Sequence, residues 1–253
     1  RSFGRLNPSS MKRTDRPMKS ILITGCSSGI GHHVAIGLRQ RGYRVIASAR
    51  QQEDVDHLKQ QGLEAIQLDL DHSVSIQQAM DWVEAETGGE LFALFNNGAY
   101  GIPGLTQDLP RDALRAIFET NLFGYFDLIN LVLPTMLKQG HGRIINCSSV
   151  LGIVGLRCRG AYVATKFAME GLTDTMRLEL YNQPVDLILI EPGPITTDIR
   201  KKAQPHFEKW SDWENSLGRR VYETQLKPRL FAENPPLDKG ELPASAVAGN
   251  PIH

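Results

Sequence analysis

Cysteine is scarce: Cys26, Cys147 and Cys158 are the only three in 253 residues. They cannot form a disulfide framework, and their spacing matches no zinc-ligand template, so no metal site is expected. Such usage fits a reducing, cytoplasmic compartment. An excess of either charge is missing too, with 28 Lys plus Arg set against 28 Asp plus Glu. That balance argues against a nucleic-acid binder or an anionic-membrane binder, which would carry a basic surplus. Long apolar runs are also lacking. Stretches such as Leu187-Ile188-Leu189-Ile190 fall far short of the ~20 residues that cross a bilayer, so no transmembrane segment is expected. At 41% hydrophobic and 22% charged, the chain is neither disordered, collagen-like nor coiled-coil in composition. A chain of this length buries roughly 70–75% of its unfolded surface and needs no covalent staples.

Residues 1–17 contain Arg1, Arg5, Lys12, Arg13 and Arg16 and lack the apolar core of a secretory signal. We expect them to lie outside the fold, as an appended leader or an Arg/Ser-rich targeting peptide. From residue 19 the sequence alternates short β-rich runs at 20–24, 44–48, 64–68, 91–95, 143–147 and 185–190 with helical stretches. The helices are expected near 31–40, 53–61, 74–87, 111–138 and 162–182. This alternation predicts an α/β, Rossmann-type, doubly wound parallel sheet with helices on both faces, and residues 18–253 as a single domain. Residues 196–240 show no clear period and carry Trp210, Trp213 and several prolines. A long irregular segment of this kind reads as a substrate lid or as a plain surface excursion.

Thr24-Gly25-Cys26-Ser27-Ser28-Gly29-Ile30-Gly31 stands where the first strand turns into the first helix. Gly25 permits a tight turn, while Gly29 and Gly31 remove side chains where backbone must approach a pyrophosphate or pack on the sheet. The phosphates would meet the unpaired N–H groups at the helix start. A glycine-rich turn that serves packing alone is the other reading. Beyond the second strand, where an NAD enzyme carries a carboxylate for the ribose 2′-hydroxyl, stand Ala49 and Arg50. A guanidinium suits a 2′-phosphate, so NADP(H) is favoured over NAD(H). Otherwise Arg50 is an ordinary solvated charge at a strand end.

Tyr162 and Lys166 are four apart on a predicted helix and therefore share a face. A nearby ammonium lowers a phenol pKa, which would make the pair a general acid or base. Ser149 follows the fifth strand, on the side where ligands bind an open α/β sheet. Asn121 lies within the long 111–138 helix, where an amide fits poorly and should disturb the hydrogen-bond ladder. Singly, each of these polar residues could be a cap or a surface group.

Together they resemble the short-chain dehydrogenase/reductase family, over roughly residues 19–200. The resemblance rests on T-G-x-x-x-G-I-G at 24–31, the Asn96-Asn97 pair, Asn121, Ser149, Y-x-x-x-K at 162–166 and Pro192-Gly193-Pro194-Ile195-Thr196-Thr197. Within the family, Cys26-Ser27-Ser28 and the Pro-Gly-Pro turn look most like NADP-dependent hydroxysteroid and retinol dehydrogenases and related aldehyde reductases. The resemblance implies that Tyr162 gives a proton to a substrate carbonyl and that Lys166 bonds the nicotinamide ribose. It implies that Ser149 orients the carbonyl oxygen and that Asn121 holds a relay water. Gly25, Ser27, Ser28, Gly29, Ile30 and Gly31 would cradle the cofactor, with Arg50, Asp69, Leu70 and Asn97 around the adenosine and ring. Pro192, Gly193, Ile195 and Thr197 would contact the nicotinamide end. The implied partner is a small carbonyl or alcohol, of steroid, retinoid or aldehyde class. The apolar helices at 111–138 and 162–182 imply a homodimer or homotetramer. A non-catalytic NADP sensor on the same fold is the rival reading, and a scaffolding protein a third.

Two departures stand out. The family has Asn-Asn-Ala-Gly where this chain has Asn96-Asn97-Gly98-Ala99. It also ends in a further helix and a seventh strand, of which Leu242 to Ala248 resembles only the start of the helix.

Overall fold

A computed structural model of the protein describes residues 18–234 and 236–249. The leader expected at 1–17, Pro235 of the expected lid and residues 250–253 lie outside the described residues. Six strands, β1 (Ser20–Ile23), β2 (Arg44–Ala49), β3 (Glu64–Gln67), β4 (Ala93–Asn96), β5 (Gly142–Cys147) and β6 (Val185–Ile190), form one sheet. Every pairing is parallel, in the order β3-β2-β1-β4-β5-β6. Successive side chains of a strand point to opposite faces, so an uninterrupted apolar strand needs cover on both. In β1, Ile21 and Ile23 enter one core while Leu22 enters the other. Phe95 and Leu94 in β4, and Ile145 and Ile144 in β5, divide in the same way.

Two helices cover the first face, α1 (Gly29–Gln40) through Val34, Ala35 and Leu38, and α2 (Gln52–Gln60) through Val55 and Leu58. The other face is covered by α3 (Ser73–Thr87) and by α5 (Gly124–Gln139), which follows the short α4 (Arg111–Phe118), and by α6 (Gly160–Glu179). The chain winds outward from β1 to β3, then returns to β4 on the opposite side of β1. The order therefore reverses between β1 and β4, and their carboxyl ends open the crevice where such sheets bind ligands.

The single helix expected over 111–138 is interrupted. Between α4 and α5 lies a π-helical turn, Glu119–Phe123, centred on Asn121. Strand β4 starts two residues later and ends one residue later than expected, which makes Asn96 its last, buried residue. There its Nδ2 donates to Asn146 Oδ1 in β5 at 2.9 Å. By length and composition one helical stretch among the described residues, Arg111–Gln139, suffices to cross a membrane. In this fold its Leu128, Ile129, Val132 and Met136 lie in the core beneath the sheet, which accounts for its composition.

The segment 196–240, expected to be irregular, is largely helical. After β7 (Ile195–Thr196) come α7 (Ile199–Trp210), a 3₁₀ turn at Trp213–Asn215, α8 (Arg219–Val221), a second π turn (Tyr222–Leu226) and α9 (Lys227–Leu230). Ala203 and Phe207, and then Tyr222, Leu226 and Leu230, recur at four-residue steps and build a small core around Cys158. The helical period was present in the sequence, but too sparse among charges and prolines to be read. The chain returns through β8 (Leu242–Pro243), paired with β7, to α10 (Ser245–Ala248), whose Val247 and Ala248 pack against the α1 side of the sheet. Among the described residues no strand joins the main sheet beyond β6.

Candidate active site

Three backbone segments converge at the crevice. The Thr24 hydroxyl accepts hydrogen bonds from the N–H groups of Asn97 and Gly98 at 2.8 and 2.9 Å. The Asn97 amide donates back to the carbonyls of Thr24 and Gly25 at 2.9 and 3.2 Å. Such closeness requires glycine. Gly25 has φ +70°, and a Cβ on it would lie 2.5 Å from Gly98 Cα. A Cβ on Gly31 would lie 2.4 Å from Gly25 O. Gly98, one of the two swapped small residues, is thus the one that touches the glycine loop. Leu70 packs beneath Gly98. Asp69 closes a turn by accepting the Asp71 N–H at 3.1 Å.

No side chain caps α1, and its first turn contains no acid. Its leading N–H groups and the positive end of its dipole are therefore left for an anion, which is what a dinucleotide pyrophosphate requires. The glycine loop runs beside the end of β2, with Cys26 N–H donating to Ser48 O at 2.8 Å. Arg50 stands exposed there and has no carboxylate partner among the described residues. On the far side, Pro192 O accepts the Val150 N–H at 3.1 Å, and the Thr197 methyl lies against Gly29. Gly193 meets open space, so no steric need for glycine is evident there.

α6 stacks Tyr162 and Lys166 on one face, with the Lys166 Nζ 5.5 Å from the Tyr162 ring centroid. Only 1% of Lys166 is exposed. Its ammonium donates to Cys147 O at 2.6 Å, at the end of β5. Burial lowers its pKa to about 8. The spacing predicts that this ammonium lowers the Tyr162 pKa, and here the structure differs. Burial pushes the Tyr162 phenol well up, and the opposing pull comes from the Ser149 side chain. The lysine is committed to the Cys147 carbonyl instead. Ser149 is itself held by the Leu151 N–H, which donates to its Oγ at 3.1 Å.

Asn121 is wholly buried and fully engaged. Its Oδ1 accepts the Tyr100 N–H at 3.1 Å. Its Nδ2 donates to Tyr100 O at 2.9 Å and to Thr165 Oγ1 at 3.3 Å. Thr165 donates in turn to Tyr162 O at 2.8 Å. The π turn therefore ties the segment after β4 to the helix that carries Tyr162 and Lys166. All three cysteine thiols are raised by burial, Cys26 to about 12, which makes them poor nucleophiles at neutral pH.

Sequence reasoning missed the contribution of α7. His206 stacks on Tyr100, with ring centroids 4.1 Å apart and planes at 20°. Trp210 joins Tyr100, Ile102, Ile117 and Tyr162 in an apolar cluster. Lys202 reaches the glycine loop, donating to Ser27 Oγ at 3.1 Å and Ser28 Oγ at 2.7 Å. These residues are four apart on one helix, but nothing in the sequence tells which surface that helix meets.

The short chain dehydrogenase profile matches residues 19–207, most of the chain. The chain belongs to that family. It is 41% identical over 179 residues to the uncharacterized oxidoreductase YbbO of Escherichia coli K12, covering 71% of this chain and 66% of YbbO. Bovine retinol dehydrogenase 8 is 35% identical over 195 residues, covering 73% and 61%. The chain thus spans about two-thirds or less of the length of these family members. Among solved structures, a short chain dehydrogenase/reductase from Burkholderia phymatum in complex with NAD superposes with a TM-score of 0.76. Its identity is 25%, with 92% of this chain and 83% of that chain covered. An actinorhodin polyketide ketoreductase with NADPH matches at TM-score 0.71 and 28% identity, with 92% and 88% covered. Solved structures holding either nucleotide thus share this fold.

Proposed function

We propose that this chain is an NADP-dependent oxidoreductase acting between a carbonyl and an alcohol on a small apolar molecule of steroid, retinoid or aldehyde class. One observation carries the reading: Tyr162, Ser149 and Lys166 meet at the carboxyl edge of the sheet, beside a glycine loop built for a pyrophosphate. A nicotinamide held by the glycine loop would supply or take up the hydride. Tyr162, kept protonated by burial, serves as the proton donor to a carbonyl oxygen, which suits the reductive direction. Ser149, positioned by the Leu151 N–H, orients that oxygen and stabilises the charge that develops on it. Lys166 is poised at the Cys147 carbonyl to meet a ribose hydroxyl. Because the Asn121 side chain is occupied, a relay water would rest on the main chain of the π turn.

Arg50, free of a carboxylate partner among the described residues, supports NADPH over NADH. Partly buried Tyr100 and Trp210, which pack with Tyr162 on the apolar core of Ile102 and Ile117, support an apolar substrate, as does the similarity to retinol dehydrogenases. We read residues 18–253 as one domain, with 196–240 as its substrate lid and 1–17 as a leader. Three unpaired buried cysteines support a cytoplasmic setting. The test is turnover of a carbonyl panel with each nucleotide, followed by nicotinamide absorbance. NADPH-dependent reduction with a clear preference over NADH is expected. Equal use of the two nucleotides would overturn the NADP assignment, and no turnover of any carbonyl or alcohol would overturn the catalytic one.

A further inference from the structure

Tyr162, Lys166 and Glu170 follow one another at four-residue steps on α6 and share one of its faces. Glu170 is half-buried and forms no ion pair among the described residues. Its Oε1 is fully buried and accepts no hydrogen bond from a described residue. That oxygen lies against the turn that carries Ser149. A Cβ on Gly152 would come 2.9 Å from Glu170 Oε1 and 2.7 Å from Ser148 Oγ, and the Gly152 N–H donates to Ser149 O at 2.7 Å. A carboxylate oxygen taken out of water is costly unless charge or hydrogen bonds compensate it. One turn back along the helix stands an ammonium that feels its charge, Lys166.

Lys166 too has no ion-pair partner among the described residues. Besides donating to Cys147 O, its Nζ lies 5.8 Å from the Tyr125 ring of α5 and 5.5 Å from the Tyr162 ring. The titratable groups facing it are thus Cys147 of β5, Tyr125 of α5, and Tyr162 and Glu170 of α6. Burial raises Cys147, Tyr125 and Tyr162, so all three are uncharged at neutral pH. Glu170 is left as the one negative charge acting on the ammonium among the described residues. Burial has brought Lys166 down to about 8, where a single neighbouring charge decides how much of it stays protonated. We infer that Glu170 is a positioning residue for the reaction: from beneath the Ser149 turn its carboxylate keeps Lys166 a cation, able to donate to the ribose hydroxyl. This rests on the catalytic reading above and extends it to a residue that touches neither cofactor nor substrate.

The test joins two readouts for the unmutated chain, Glu170→Gln and Glu170→Asp. One is the titration of Lys166 itself, followed by NMR with 13C at the lysine ε carbon and assigned with Lys166→Arg. The other is the pH profile of kcat/KM for carbonyl reduction. Without the carboxylate the ammonium loses its proton at lower pH. Glu170→Gln should therefore move the Lys166 titration, and the alkaline limb of kcat/KM with it, down by about half a unit to one unit. Glu170→Asp retains the charge and should shift both by less than half as much. Glu170→Ala, which buries no amide, gives the same readout should the Gln variant fold poorly. A Lys166 titration unmoved in Glu170→Gln would overturn the inference and leave the catalytic reading intact. Equal shifts in the Asp and Gln variants would overturn it too, since charge would not be the cause. A shifted Lys166 titration with an unmoved limb would overturn the part given to Lys166 in catalysis, and this role with it.

Discussion

Lys166 is a buried ammonium, and its burial carries a cost. An ammonium removed from water is destabilised unless something replaces its hydration, and here a single carbonyl at 2.6 Å does so. Its pKa falls from 10.5 to about 8. Below that value the charged form is buried at full cost. Between about 8 and 10.5 the unfolded chain binds more protons than the native one, so this residue makes stability rise with pH through that window. Buried Cys26 and half-buried Tyr100, both raised to about 12, act in the opposite sense at alkaline pH. The contribution of Lys166 is isolated by subtracting the unfolding free energy of Lys166→Met from that of the unmutated chain. That difference should grow by up to about 3 kcal/mol across the window. A flat difference in urea titrations would refute it. At the same site, Tyr162→Phe should lower turnover by about 10²–10⁴-fold, or roughly 3–5 kcal/mol of barrier, while NADPH binding persists. A Phe variant with near-normal turnover would mean that another group gives the proton.

At the scale of elements, the π turn at Glu119–Phe123 separates two regular helices and turns a buried amide toward the Tyr100 main chain. Asn121→Ala would leave the part-buried N–H and carbonyl of Tyr100 without this partner, at a cost of about 1 kcal/mol for each group. The unfolding midpoint should fall accordingly. Activity should fall further than stability explains, because the same amide reaches Thr165 and through it Tyr162. The glycine loop is equally intolerant. In Gly31→Ala the added carbon would sit 2.4 Å from Gly25 O and 2.5 Å from the Asn97 amide nitrogen. Neither can retreat, since Asn97 is tied to Thr24 and Gly25. We expect loss of nucleotide binding, measured by titration calorimetry, in a chain whose melting temperature is also depressed. Unchanged binding would show that the loop accommodates a methyl group by moving as a whole.

At the scale of the molecule, the π turn, α5 and α6 present apolar residues outward as well as inward. Phe123, Phe126 and Phe167 remain 46%, 42% and 45% exposed. If these rings form one contiguous apolar patch they would suit an interface, and a second copy of the chain is the expected occupant. Light scattering at micromolar concentration should give at least a dimer. The double substitution Phe126→Glu and Phe167→Glu should shift it toward monomer without lowering the melting temperature of the subunit severely. A monomer in the unmutated chain would refute the assignment.

Period-two and four-residue apolar patterns are local properties, so the sequence by itself determined the six parallel strands, the helices between them and the polar residues at the strand ends. It determined the Tyr162–Lys166 stacking as well, because helix geometry alone brings positions four apart together. Only the tertiary structure decided what depends on neighbours distant in the chain. Burial, set by the whole fold, reversed the direction expected for the Tyr162 pKa and turned Lys166 toward the Cys147 carbonyl. The packing of Gly98 against Gly25 and of Asn121 against Tyr100 joins separate loops, which no spacing encodes. The helices of 196–230 are held by a small core shared with Cys158, so their weak period becomes legible only once that partner is in place. Lys202 reaches Ser27 and Ser28 for the same reason: where a helix docks depends on surfaces elsewhere in the chain.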